Sequence, residues 1–235
     1  MALAGGIAGA AAMGYGAFFA PGSQVFGPVP VRGSGTEPQV ALTFDDGPNE
    51  PHTAALLDVL ASRDVRATFF QVGRCVERHP ESSRRVAEAG HVIGNHSYSH
   101  RLGAYLTHPS FAAEIDRTQQ VLADVVGLTP RLFRAPWLHR QPALLATVRQ
   151  RGMQIVSGTF GHPLEPFQPA AATLTRHAAA VTRAGSILVF HDGFDARGGN
   201  RAETVAAIGP LIDILRDRGL SFVTVDTLLG VDAYR

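Results

Sequence analysis

His96 and His100 stand four residues apart in His96-Ser97-Tyr98-Ser99-His100. On a helical turn that spacing points both imidazoles to one side, the geometry of two metal ligands. Two adjacent acids, Asp45 and Asp46, close the apolar run Ala41-Leu42-Thr43-Phe44 and precede Gly47-Pro48. Acids before Gly-Pro end many strands for conformational reasons alone. They also stand where sheet enzymes keep their working groups. Two imidazole nitrogens and one carboxylate oxygen leave a coordination position for water, the arrangement of a catalytic zinc rather than a structural one. One acid of the pair would bind the metal, and the other would be free to take a proton from water. Arg134-Ala135-Pro136-Trp137 and His191-Asp192 add a cation, an indole and a third imidazole. Each feature alone has a bland reading: a chance histidine pair, a surface ion pair, a packed indole, a turn.

The elements that would gather these residues are legible. From residue 39 onward, short apolar runs alternate with helical patterns: QVALTF, RATFFQV, HVIGN, RLFRA, MQIVSGT, SILVFH and SFVTVD. Such runs, bounded by Gly, Pro or polar residues, are those of buried parallel strands. Between them Phe111, Ile115, Thr118, Leu122 and Val125 recur at helical spacing behind Ser110, an N-cap residue type. Val205, Ile208, Ile212 and Leu215 form a second such stripe, which Gly209-Pro210 should kink or split. Helices are also expected over 51–62, 80–89, 141–151 and 169–183. A β-α order repeated about seven times gives an open doubly wound sheet or a barrel. In both, functional residues collect at the carboxyl ends of the strands. Asp45-Asp46, the His96–His100 stretch, Arg134–Trp137 and His191-Asp192 all fall at such ends.

Composition narrows the function. The chain has 235 residues, 45% hydrophobic and 17% charged, with a formal net charge of +1. That suits one α/β domain and argues against a nucleic-acid surface. Every basic side chain is Arg, and Cys75 is the single cysteine, which excludes an internal disulfide and a Cys-type zinc site. Residues 2–20 carry no Asp, Glu, Arg, Lys or His and approach the roughly 20 residues that span a bilayer. They read as an export segment or membrane anchor, with a flexible tail as the alternative. Residues 21–38 read as a Pro/Gly-rich linker or an arm packed on the domain, and 39–235 as the catalytic domain.

Together the motifs resemble the NodB-like polysaccharide deacetylases, carbohydrate esterase family 4. They stand here as Thr43-Phe44-Asp45-Asp46-Gly47-Pro48, His96-Ser97-Tyr98-Ser99-His100, Arg134-Ala135-Pro136-Trp137 and Val189-Phe190-His191, in matching order from about residue 39 to about 228. The resemblance implies a distorted seven-stranded (β/α) barrel and metal-dependent hydrolysis of N-acetyl groups on a glycan. It implies Asp45 as general base, Asp46, His96 and His100 as ligands of one divalent metal, and His191 as the acid that protonates the departing amine. Zinc is the first expectation, with cobalt or manganese compatible. By the same resemblance Arg134 partners Asp45, the Trp137 backbone N–H stabilises the oxyanion, and the Trp137 ring and Val189 shape the acetyl pocket. One motif departs: the family usually places an Asp after the fifth strand to steady the catalytic His, and 157–165 contains none. His162, Glu165 or another acid stands in its place, or nothing does, with Glu165 the first carboxylate after the fifth strand. A monomeric extracytoplasmic enzyme acting on peptidoglycan or a chitin-like glycan is expected, with a cytoplasmic location as the alternative. Rival functions are hydrolysis of an O-acetyl sugar or cyclic imide, and glycan binding through a decayed site. Among the other histidines, His52, His79, His91, His108, His139 and His177 read as solvated or locally bonded, His139 lying near enough to Trp137 to touch a sugar.

Overall fold

The computed structural model describes residues 14–105 and 108–235. In chain order the elements are β1 (Gln39–Asp45), α1 (His52–Ala61), β2 (Thr68–Gln71), α2 (Gly73–Arg78), α3 (Pro80–Glu88), β3 (Val92–Asn95), α4 (His108–Val126) and β4 (Leu132–Phe133). Then follow α5 (Pro142–Gln150), β5 (Gln154–Ile155), β6 (Thr159–Phe160), α6 (Ala171–Val181), β7 (Ile187–His191), α7 (Ala202–Asp217), β8 (Ser221–Phe222) and α8 (Val225–Leu229). The strands run in the order β5-β4-β3-β2-β1-β7-β6, each pair parallel, and β8 lies against the first two residues of β1. This curled parallel sheet, ringed by helices, is the distorted (β/α) barrel that the motifs implied.

Alternation along the central strands separates two cores. Leu42, Phe44, Leu188 and Phe190 face outward and pack with Leu56, Leu60, Ile208 and Ile212 of α1 and α7. Ala41 and Ile187 face inward with Phe70, Leu132 and Val225. Successive side chains of a strand take opposite faces, so Thr43 and Asp45 continue the inward row of Ala41, and Val189 and His191 continue that of Ile187. The register pairs Asp45 with His191 on one side and with Phe70 on the other. It also pairs Gln71 with Asn95, directly before His96. The chemistry-bearing strand ends therefore meet at one mouth of the barrel.

Several elements differ from expectation for local reasons. The run MQIVSGT is two strands, because Ser157 and Gly158 separate the β5 pairing with β4 from the β6 pairing with β7. Helix α4 starts at His108, so Ser110 sits inside its first turn. Helix α7 runs through Pro210 unsplit. The proline faces solvent while its neighbours Ile208, Leu211 and Ile212 are buried, and that burial holds both halves of the helix together.

Among the described residues no strand pairing joins β5 to β6, so the barrel is open there. Residues 21–38 run against this side. Ser157 N–H donates to the Pro30 carbonyl at 2.8 Å and Gly33 N–H to the Gly185 carbonyl at 2.8 Å. Arg32 forms an isolated bridge with Ser186. Phe26 and Val29 pack among Tyr105, Phe111, Leu144 and Leu145. Residues 14–19 are helical. The expected export segment or anchor, residues 2–20, falls largely outside the described residues. Among those described, no helix is long and apolar enough to cross a membrane.

Candidate active site

The turn after β1 carries Asp46 in a left-handed conformation, φ 73°. This turns its carboxylate toward the loop after β3, where His96 and His100 are held. That loop is shaped from α4. The Glu114 carboxylate accepts the N–H groups of Tyr98 and Ser99 at 3.1 and 2.6 Å and the Ser99 hydroxyl at 2.9 Å. Asn95 Oδ1 accepts the Ser97 N–H at 2.9 Å. The histidine loop is thus a bonded turn rather than the helix that the four-residue spacing suggests.

His96 Nε2 and His100 Nε2 lie 3.3 and 3.0 Å from Asp46 Oδ1. Each ring is fixed by its other nitrogen: His96 Nδ1–H donates to the Arg134 carbonyl at 2.8 Å, and His100 Nδ1–H to Asp195 Oδ1 at 2.9 Å. With Nδ1 so engaged, both Nε2 atoms face the carboxylate, the orientation of metal-binding histidines. Asp46 Oδ1 is buried and receives no hydrogen bond among the described residues. Three convergent donors of electron pairs, within 4.8 Å of one another, fit a divalent cation. The electrostatics agree. Burial would raise the Asp46 pKa, but His100 and His96 hold it well below the usual carboxylate range. Burial would likewise lower the His100 pKa, yet Asp46 and Asp195 carry it to about 10. The cluster attracts positive charge.

Asp45 stands beside this cluster on a buried guanidinium. Arg134 NH1 donates to Asp45 Oδ1 at 2.7 Å and to Thr43 Oγ1 at 2.6 Å, and NH2 donates to the Ser157 carbonyl at 2.9 Å. The Arg134 head lies 4.1 Å above the Phe70 ring centroid, a stacked and desolvated cation. On the neighbouring strand, His191 Nδ1–H donates to Glu165 Oε2 at 2.5 Å. Glu165 is fully buried, and the Thr204 hydroxyl of α7 donates to its second oxygen. Burial would lower the His191 pKa, but the Glu165 carboxylate overrides it and holds the imidazole at about 9.

Asp45, Asp46, His96, His100 and His191 line a pocket of about 370 Å³ with Trp137, Leu138, Phe160, Phe167 and Phe194. Trp137 sits at φ 54°. Its ring lies 4.4 Å from that of His100, and its N–H meets no acceptor among the described residues. A larger groove, about 670 Å³ between the 28–37 segment and 227–230, shares no residue with this site.

Three expectations need correction. Val189 does not line the pocket: it is one inward step below His191, packed where a Cβ on Gly158 would fall. Phe160, Leu138 and Phe167 form the apolar wall instead. His162 does not meet His191: its Nδ1 accepts the Leu164 N–H at 3.0 Å, and its ring packs edge-on against His177. His139 is buried against Tyr105, Phe18 and Phe19 and does not face the pocket. Asp195 and Glu114 were missed by sequence reasoning. Asp195 also donates its N–H to Asp46 Oδ2 at 2.9 Å, so it orients two of the three metal-site residues. The only signal for it was an acid four residues after His191.

The family model for polysaccharide deacetylase matches residues 32–156. The chain belongs to the polysaccharide deacetylase family. A peptidoglycan-N-acetylglucosamine deacetylase of Bacillus cereus is 32% identical over 191 residues, covering 81% of this chain and 87% of that one. A chitooligosaccharide deacetylase of Sinorhizobium fredii is 34% identical over 206 residues, covering 81% and 91%. The crystal structure of a peptidoglycan N-acetylglucosamine deacetylase superposes with a TM-score of 0.82 at 29% identity, covering 88% of this chain and 95% of that one.

Proposed function

We propose that this polysaccharide deacetylase removes N-acetyl groups from a glycan containing N-acetylglucosamine, peptidoglycan being favoured over a soluble chitin-like oligomer. The names of its relatives support the substrate class. The observation that carries the mechanism is a single pocket lined by Asp45 and His191, neighbours on adjacent strands, together with Asp46, His96 and His100. Asp46, His96 and His100 would hold a divalent metal, with zinc proposed, which would supply Lewis acidity to a water and to the acetyl carbonyl. Asp45 takes the proton of the attacking water, and Arg134 keeps that carboxylate ionised and aimed. The Trp137 N–H, already fixed and without a partner, faces the charge that develops on the carbonyl oxygen. His191, protonated through Glu165, delivers its proton to the amine as the C–N bond breaks, and acetate remains. Phe160 and Leu138 take the wall position assigned to the acetyl methyl.

Residues 2–20 are proposed as an export or anchoring segment, which would place the enzyme at an extracytoplasmic wall. Acetate release from a panel of N- and O-acetylated glycans tests the reading, with metal supplied in excess. Asp45→Asn should retain one equivalent of metal and the fold while losing roughly 10²–10⁴-fold in turnover. Asp46→Ala should lose metal and activity together. Release from O-acetyl substrates alone would replace the amide reading, and near-normal turnover by Asp45→Asn would refute the general-base role.

A further inference from the structure

Asp45 depends on Arg134, and Arg134 depends on a carbonyl outside any strand. Its NH2 group is held by the Ser157 carbonyl at 2.9 Å. Ser157 lies between β5 and β6, at the open side of the barrel. Its fixation comes from the segment that precedes the barrel. Ser157 N–H donates to the Pro30 carbonyl at 2.8 Å. Its hydroxyl donates to the Pro21 carbonyl at 2.9 Å and accepts from Arg140 NH2 at 2.7 Å. Arg140, buried at 2% exposure, reaches the same segment. Its NH2 donates to the Pro21 carbonyl at 2.5 Å, its NH1 to the Ala20 carbonyl, and its backbone N–H to the Phe18 carbonyl at 2.8 Å.

Hydrogen bonds from a charged group are each worth about 1.5–3 kcal/mol. Carbonyls of Ala20 and Pro21 and the Ser157 hydroxyl meet the two terminal nitrogens of Arg140. Loosening the segment would take away those carbonyl partners, so Arg140 and Ser157 would shift. The segment is also anchored by rings. The Phe18 ring lies 4.8 Å from that of Phe26, tilted by 52°, and Phe26 packs in the cluster of Tyr105 and Phe111. Phe18 and Phe19 flank His139, the residue that follows the Trp137 turn.

We propose that the N-terminal arm, residues 18–30, is a positioning element of the active site: through Arg140 and Ser157 it fixes the carbonyl that seats Arg134 and thereby aims Asp45. The inference rests on the reading of Asp45 as proton acceptor. A strap that only stabilised the fold would not need to hold, by its N–H and hydroxyl, the one residue whose carbonyl the Asp45 partner uses.

The test compares full-length wild type, Arg140→Gln, Arg140→Lys and the arm variant Phe18→Ala/Phe26→Ala, which leaves Arg140 and Ser157 in place. Turnover, KM and metal content are measured. Exchange of the Arg134 guanidinium protons is followed by NMR, with the signal assigned by its loss in Arg134→Lys. Arg140→Gln and the arm variant should lose on the order of 10- to 100-fold in kcat, as displacement of a catalytic group does, with KM within about twofold and metal content unchanged. Arg134 exchange should quicken in both, and Arg140→Lys should recover part of each effect. If Arg140→Gln fails to fold, the arm variant still decides. Wild-type kcat, or wild-type Arg134 protection, in an arm variant whose arm has become protease-sensitive would overturn the proposal. Should wild type release no acetate from any substrate, the proposed function fails, while Arg134 exchange still reads the arm's grip.

Discussion

On the proposed mechanism, the His191–Glu165 pair sets the pH range of the reaction. A carboxylate against Nδ1 fixes the imidazole tautomer and favours its protonated form. Here the carboxylate against Nδ1 is that of Glu165, from the short helical turn Glu165–Phe167, braced by Thr204. With its pKa held at about 9, His191 stays protonated through neutral pH. Glu165→Gln should therefore move the alkaline limb of the pH–rate profile to lower pH, with metal content unchanged. Superimposable profiles would remove Glu165 from the mechanism. The stability consequence has the same sign. The folded pKa is raised above the unfolded value, so this pair's stabilisation is fully present below about pH 6.5 and is lost as pH rises through about 9. Urea unfolding of Glu165→Gln should show a flatter dependence across that window. Glu165 was legible as the first acid after the expected fifth strand. Asp195 and Glu114 were not, because each acts through a contact distant in sequence, with His100 and with the Tyr98 and Ser99 N–H groups respectively.

At the scale of elements, the strands were read from apolar runs because both faces of the sheet are covered, and β1 is buried from Val40 to Asp45. Short strands blurred that signal. The two-residue β5 and β6 read as one run, since periodicity cannot mark a break at Ser157 and Gly158. The Asp46 turn shows what spacing alone does not reveal. A Cβ on Gly47 would stand 2.0 Å from Asp192 Oδ2, and Asp192 is pinned by the Thr53 hydroxyl at 2.6 Å. The glycine lets the β1 turn close onto the residue after His191, which draws the acid and base motifs together. Gly47→Ala should cost about 1–3 kcal/mol through overpacking and lower metal occupancy with it. Asp192→Ala, which removes the clashing atoms, should recover much of the loss in the double variant. Thermal melts and metal analysis of the four forms would check this, and simple additivity of the two losses would refute the steric account.

For the whole molecule, the barrel divides chemistry from closure. The mouth holds the acids and histidines; the base is sealed by the C-terminal residues. Strand β4 is so short that it meets β3 only at Asn95, which leaves the lower part of β3 without that neighbour. The tail supplies the missing partner: Ile93 N–H donates to the Tyr234 hydroxyl at 2.8 Å. Tyr234 also bridges to Pro130, while Arg131 N–H donates to the Ala233 carbonyl at 2.7 Å and Arg235 N–H to that of Thr129 at 3.1 Å. The Tyr234 ring packs against the inward core of Ala41, Phe70 and Leu132. Tyr234→Phe keeps the ring and removes the acceptor, leaving the Ile93 N–H unpaired. The expected cost is about 1–3 kcal/mol, read as a fall of several degrees in Tm at roughly 2–4 °C per kcal/mol for a chain of this size. Metal content, kcat and KM should stay at wild-type values, because no pocket residue touches the tail bonds. A loss of turnover at temperatures well below the melt would show that the base transmits strain to the mouth, and would end the division of the barrel into a working end and a closing end.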